Sequence, residues 1–357
     1  MSVITCVMLI FSIIGALDRI FHNRFGLGEE FERGFKLLGT MSLSMSGMII
    51  ISPFLAQLLS PVFSFVWESL SLDPSIIPAS LFANDMGGAP LSVEVAKNAD
   101  IGLFNALVVS SMMGATISFT IPYALTVTDK KNHSDILLGF LCGIVTIPLG
   151  CFVSGLILSI PLAMLIINVL PLIFFSIIIA AGLVLCPNVC VKIFAVLGDI
   201  IKIIITSGLV LGVIKFLSGI EIIKGLESIE EATMVCLNAS CVISGAFPLL
   251  KIISKIISRP VKKLGNKIGI NEVSALGLVS TLATNVTTFD MIKNMDRKGI
   301  VLNSAFAVSA AFTLAGHLAF TMAFDGRYVA PVCIGKIIAG LTSLLIAVFV
   351  AKKNVKE

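Results

Sequence analysis

The chain has 357 residues, of which 57% are hydrophobic and only 13% charged, with a mean hydropathy of +1.06 and a formal net charge of +4. A soluble domain carries about a quarter of its residues as charged side chains, so half that share leaves too little polar surface to coat a water-soluble globule. Apolar residues also run together: 101–127 and 160–185 contain no charged residue, and each exceeds the roughly 20 residues that cross a ~30 Å hydrocarbon core. The expected class is an all-α polytopic membrane protein.

In chain order, nine spanning helices are predicted near 3–20, 37–59, 101–127, 134–157, 161–185, 190–216, 232–256, 299–324 and 328–351. The first has no basic residue ahead of it and no small-residue cleavage site after it, so it reads as a retained helix and not a cleaved signal peptide. Two further stretches, 75–95 and 272–292, are apolar but interrupted. The first carries Pro74-Ser75-Ile76-Ile77-Pro78 and then Asn84-Asp85-Met86-Gly87-Gly88-Ala89-Pro90; the second carries Ser280-Thr281-Leu282-Ala283-Thr284-Asn285-Val286-Thr287-Thr288. Each puts polar, helix-interrupting residues where a spanning helix has its middle. Irregular backbone at that depth is tolerated only where protein or a wet cavity supplies hydrogen-bond partners, which predicts two re-entrant helical hairpins.

The basic residues favour the same topology. With both hairpins returning to the side they entered, nineteen of the 25 lysines and arginines fall on one side and four on the other, with Lys202 and Lys336 inside helices. With both hairpins crossing fully, the division falls to 13 against 10. The positive-inside rule prefers the first arrangement, with the N-terminus outside, the C-terminus cytoplasmic and the basic segment 257–271 at the inner surface.

The halves echo one another at a spacing near 198 residues. Glu29-Glu30-Phe31-Glu32 returns as Glu227-Ser228-Ile229-Glu230, Ser46-Gly47 as Ser244-Gly245, Lys97-Asn98-Ala99-Asp100 as Lys293-Asn294-Met295-Asp296, and Phe119-Thr120 as Phe320-Thr321. Asn84-Asp85 lies opposite Thr284-Asn285. Corresponding helices lie an odd number of spans apart and run in opposite directions. The expectation is one membrane domain, 1–357, built from a first repeat at 3–157, a connecting helix at 161–185 and an inverted second repeat at 190–351. Inverted repeats with broken helices are a transporter arrangement.

An ionisable group inside a membrane is a functional candidate by default. Asp85 sits at the turn of the first hairpin beside Asn84, ahead of Gly87 and Gly88, which let backbone approach a ligand. Its carboxylate suits an ammonium group, and it is equally placed to cap the second half of the hairpin. Thr284, Asn285, Thr287 and Thr288 form the matching cluster, able to receive a hydroxyl or merely to satisfy hairpin backbone. Asn105 and Asn303 start repeated helices and suit second-layer or interhelical hydrogen bonds. Glu32 and Glu230 flank the entry to each repeat, where a carboxylate also serves the helix dipole. Asp199 and Lys202, three apart, are spaced to neutralise one another. His317, the one histidine within a span, is able to carry a proton near neutral pH, though a neutral histidine hydrogen-bonded inside the bundle is the commoner arrangement.

No phosphate loop, GxSxG or HExxH is present, and the eight cysteines form no CxxC pair. No catalytic residue, metal site, cofactor, disulfide framework or nucleic-acid partner is expected. Glycine-bearing helices such as 134–157 permit close packing in a homo-oligomer.

Several segments carry a family resemblance. Phe31-Glu32-Arg33-Gly34-Phe35, Leu81-Phe82-Ala83-Asn84-Asp85-Met86-Gly87-Gly88, Ser110-Ser111-Met112-Met113-Gly114, Gly143-Ile144-Val145-Thr146-Ile147-Pro148-Leu149-Gly150-Cys151 and the stretch from Ser274 to Asp290 resemble the bacterial ethanolamine-utilisation transporter family, EutH. The resemblance covers nearly the whole chain. It implies uptake of ethanolamine across the bacterial cytoplasmic (inner) membrane by a multi-pass protein, with the lipid bilayer and the small-molecule substrate as partners. A permease for another small polar metabolite and a membrane sensor that binds the solute without moving it are the alternatives.

Overall fold

An apolar run in hydrocarbon must satisfy its own backbone hydrogen bonds, and a helix does so within one segment. The computed structural model describes residues 3–354 and contains helices and connections, with no strand among the described residues. The chain runs α1 (Val3–Ile20), then α2 (Leu27–Met41), which continues through a π-helical turn at Ser42–Ser46 into α3 (Gly47–Leu58). Next come α4 (Ser60–Leu70), α5 (Ile76–Leu81), α6 (Gly88–Val95) and α7 (Ala99–Phe104). Two π-helical stretches, Asn105–Gly114 and Thr116–Thr120, carry α7 into α8 (Ile121–Val127), followed by α9 (His133–Ile144), α10 (Ile147–Ile157) and α11 (Leu162–Leu185). The remainder comprises α12 (Pro187–Ser218), α13 (Ile229–Ile268), α14 (Glu272–Thr281), α15 (Asn285–Asp290), α16 (Arg297–Ala310), α17 (Gly316–Asp325) and α18 (Val329–Asn354). Lys356, counted above on the basic side, lies outside the described residues.

Eight stretches among the described residues are long and apolar enough to cross a membrane. They are α1, α2–α3, α7–α8, α9–α10, α11, α12, α13 and the stretch through α17 and α18. The expected helix at 299–324 is not continuous: it breaks between α16 and α17. Ala311 is extended (φ −59°, ψ 142°) and Phe312 takes a left-handed conformation (φ +61°), costly for a bulky side chain. Backbone hydrogen bonds made elsewhere offset that cost. Phe312 N–H donates to the Thr281 carbonyl at 3.2 Å and Leu314 N–H to the Leu282 carbonyl at 2.9 Å. Two other expectations shift. The α2 helix begins at Leu27 and not at 37, and α13 runs on through Pro248 and Pro260 to Ile268, so the start of the basic segment is helical. Asp199 and Lys202, three residues apart on α12, are both exposed and are not among the ion pairs of the described residues.

Small residues bring the helices close together. In lipid, helix association rests on van der Waals packing and interhelical hydrogen bonds, so close backbone approach matters more than apolar bulk. A Cβ on Gly245 of α13 would overlap the Met8 carbonyl of α1, and one on Gly47 at the start of α3 would overlap the Ile205 carbonyl of α12. Ser240 Oγ of α13 reaches the Gly34 carbonyl of α2 at 3.1 Å. Gly47→Ala is therefore expected to destabilise the fold by about 1–3 kcal/mol through overpacking, read as a melting temperature several degrees lower in detergent. Gly39→Ala, with no atom within 4 Å of the added carbon, is expected to leave it unchanged.

Candidate solute-binding site

Each interrupted segment returns to its own starting point, and one carboxylate ties its ends. Asp73 accepts from Ser75 N–H (3.0 Å) and Ser75 Oγ (2.6 Å) with one oxygen, and from Lys97 N–H (3.0 Å) and Asn98 N–H (2.9 Å) with the other. Asp296 accepts from Asn271 N–H (2.8 Å), Ser274 Oγ (2.6 Å) and Gly299 N–H (3.0 Å). Both hairpin bases are braced by an asparagine: Asn105 Nδ2 donates to Ser75 Oγ at 2.8 Å, and Asn303 Nδ2 to the Ser274 and Gly299 carbonyls at 2.9 Å each.

Between α5 and α6 the backbone is extended at Phe82 (φ −119°, ψ 138°) and Ala83 (φ −60°, ψ 150°), makes a 3₁₀ turn at Asn84–Met86, and reverses at Gly87 (φ +103°). The left-handed conformation at Gly87 and the nearness of Met48 both require glycine there. Added carbons on Gly88 or Gly114 would overlap the Phe82 carbonyl, so the break lies directly against the π-helical wall. Ala83 N–H donates to Ser118 Oγ of that wall at 3.0 Å. Such π-helical turns widen the backbone and often mark functional sites.

Asp85 projects from this break toward α17. It makes no cap to α6, whose N-cap residue is Gly87 and which has no side-chain cap bond. Asp85 Oδ1 lies 4.0 Å from His317 Nε2, with the aspartate side chain 33% exposed and the histidine 3%. Lys336 Nζ of α18 donates to His317 Nδ1 at 3.1 Å and to the Ser111 carbonyl at 2.6 Å. With Nδ1 accepting, the hydrogen-bond network assigns the imidazole proton to Nε2, on the side of Asp85. Beside Asp85, the fully buried Asn84 has no partner for either Oδ1 or Nδ2. The buried hydroxyl of Thr321, one turn beyond His317, also has no partner.

The second break lies at Leu282–Thr284, and its own side chains largely close it. Thr284 Oγ1 caps α15 through Val286 N–H (3.2 Å), while Thr288 Oγ1 meets Thr281 Oγ1 at 2.9 Å and the Gly277 carbonyl at 3.2 Å. Asn285 Nδ2 donates to Thr120 Oγ1 at 3.0 Å, leaving Asn285 Oδ1 without a partner. Thr284 and Thr287 line a cleft of about 450 Å³ with Glu30, Arg33, Lys251 and Lys255. Both breaks touch the wall at 105–120, the first through Ser118 and the second through Thr120. Phe312 joins them on another side, bonded to Thr281 and packed 5.0 Å from the His317 ring.

Residues 1–350 match the family described as "Ethanolamine utilisation protein, EutH". The chain belongs to that family. A "Probable ethanolamine permease EutH" of Listeria monocytogenes is 40% identical over 356 residues, spanning all of this chain and 95% of the relative. Proteins of the same name from Salmonella typhimurium and Escherichia coli are 35% and 36% identical, each across 99% of this chain and 96% of the relative. No solved structure matches the chain. Family membership and eight membrane-length apolar stretches among the described residues make this a multi-pass bacterial membrane protein.

In this EutH chain the structure brings Asn84, Asp85, Gly87 and Gly88 together with His317. Asn285 reaches the shared wall, Thr284 and Thr288 bond within their own hairpin, and Thr287 faces the cleft. Asn105 and Asn303 stand at the hairpin bases, away from the breaks. Glu32 pairs with Arg19 (3.8 Å) and Lys36 (3.0 Å) on the exposed surface, and Glu230 is exposed in the first turn of α13. Neither joins the Asp85 cluster. Lys336, Ser111, Thr120 and Thr321 are named in the sequence analysis, but not as candidates for the site. The signal for Lys336 was present: it is the lone charged residue between Arg327 and Lys352, and the rule that singled out Asp85 applies to it equally.

Proposed function

We propose that this EutH protein carries ethanolamine across the bacterial cytoplasmic membrane, binding it as ethanolammonium at Asp85 and Asn84. The observation that carries the reading is a partly exposed carboxylate beside a buried amide with no partner for either of its polar atoms. Buried polar groups are almost always satisfied, so such an amide calls for a ligand. The ammonium of ethanolamine makes charge-assisted hydrogen bonds to Asp85. Its hydroxyl both donates and accepts, matching Asn84 Oδ1 and Nδ2. The names of the relatives, probable ethanolamine permeases, agree with this chemistry.

In this reading the two interrupted segments are re-entrant hairpins of an inverted pair, 3–157 and 190–351, joined by 161–185. Asn98 and Asp296, 198 residues apart, each cap the helix that follows a hairpin. Asn84 and Asn285 are 201 apart, as are Thr120 and Thr321. One cross-pair, Asn285 with Thr120, is bonded, while Asn84 and Thr321 both lack partners. A carrier that alternates between two faces holds one hairpin closed while the other is free to receive solute. Segments assigned to the cytoplasm are held together by the ion pairs Lys251–Glu30 (3.6 Å), Lys262–Glu272 (2.9 Å) and Arg297–Asp135 (2.9 Å). The N-terminus is then outside and the C-terminus cytoplasmic.

Counterflow tests the assignment. Vesicles reconstituted with the protein and loaded with unlabelled ethanolamine are expected to take up labelled ethanolamine, with competition by external ethanolamine. Binding without exchange would make the protein a sensor, and stronger competition by another small polar solute would change the substrate.

A further inference from the structure

The proposed site has one carboxylate, and the protein already supplies a cation to match it. Lys336 is 1% exposed within an apolar helix, with its ammonium on the Ser111 carbonyl and His317 Nδ1. The imidazole stands between it and Asp85, 4.0 Å from the carboxylate. The titratable groups facing this cluster are Asp85 ahead of α6, Cys151 on α10, His317 on α17 and Cys333 on α18 itself. The π-helical wall contributes the Ser111 carbonyl. Asp85 is the one acid of the set, so Asp85 ionised, Lys336 protonated and His317 neutral together leave the empty site without net charge. His317 is not free to take a further proton at Nδ1, because that would set two cations 3.1 Å apart in a low-dielectric interior. Ethanolammonium arriving at Asp85 therefore brings one positive charge too many, and buried unpaired charge is strongly disfavoured.

We propose that Lys336 releases its proton when ethanolammonium binds Asp85, so that the carrier exchanges one ethanolammonium for one proton. This inference rests on the transport reading above. Lys336 passes a proton to His317 Nδ1 and keeps the bonding electron pair on Nζ. His317 Nε2 gives up its own proton to solvent water on the exposed side of Asp85, leaving a neutral imidazole in the other tautomer. When the solute departs across the membrane, the reverse transfer reloads Lys336 from that side. One ethanolammonium moves one way, one proton moves the other, and no net charge crosses. The carrier thus accomplishes the movement of neutral ethanolamine while binding its abundant protonated form.

A cation carried alone would be concentrated about 50-fold by an inside-negative potential of 100 mV, whereas the exchange ignores potential. The test uses the full-length protein in vesicles at equal pH near 6, with a trapped pH dye, labelled ethanolamine and a potassium gradient made electrical by an ionophore; protein-free vesicles give the leak. The wild-type protein is expected to reach the same uptake at −100 mV as at zero potential and to alkalinise the lumen by one proton per solute. Lys336→Met is expected to lose the alkalinisation that accompanies each solute it still moves. Wild-type accumulation that rises toward 50-fold with potential, with no change in lumen pH, overturns the proposal, as does Lys336→Met that still exports one proton per solute. The wild-type arm decides the matter if the variant fails to fold. Absence of counterflow at zero potential is a different result, and it removes the transport reading itself.

Discussion

Asp85→Asn is expected to lower ethanolamine counterflow by roughly 10- to 100-fold, the effect of losing a hydrogen bond to a charged group. The substitution keeps the shape of the side chain and removes its charge. Asp85 makes no cap to α6, so melting temperature and membrane insertion are expected to stay near wild type. That separation is the informative part. Initial rates in vesicles with matched protein content measure it. Undiminished exchange would take Asp85 out of the site and leave the unpartnered amide of Asn84 without its companion.

Gly114→Ala is expected to be nearly as damaging, by a different route. The added carbon would overlap the Phe82 carbonyl and lie 2.5 Å from the Phe82 carbonyl carbon and 2.6 Å from the Ala79 carbonyl oxygen. All three are backbone atoms of the first hairpin, so no side-chain rotation relieves the contact. The hairpin must move, at an expected cost of about 1–3 kcal/mol, and Asp85 moves with it. Loss of transport should come with a lower melting temperature, unlike the signature of Asp85→Asn. Gly198→Ala on α12 is the control, since nothing lies within 4 Å of its added carbon and alanine favours the helix.

The two hairpins and the break at 311–315 show different degrees of legibility. Asn84, Asp85, Gly87 and Gly88 announce an interruption because their preferences are local: glycine accepts positive φ, and short polar side chains compete for backbone hydrogen bonds. Ala310-Ala311-Phe312-Thr313-Leu314-Ala315 contains neither glycine nor proline and reads as helix. It opens because the Thr281 and Leu282 carbonyls, some thirty residues earlier, accept Phe312 and Leu314 N–H groups. No property of residues 310–315 foretells that partner.

The sequence by itself determined the membrane class, most but not all of the helical spans, both polar interruptions, the candidacy of Asp85 and the likeness to EutH. These follow from hydropathy, backbone preference and motif, which belong to each residue wherever the chain folds. Tertiary structure alone decided that His317 and Lys336 stand behind Asp85, that Thr120 takes Asn285 while Asn84 and Thr321 go unpaired, and that Glu32 and Glu230 stay outside the site. Hydrogen bonding and charge pairing depend on distances through space, and those exist only once the helices have packed.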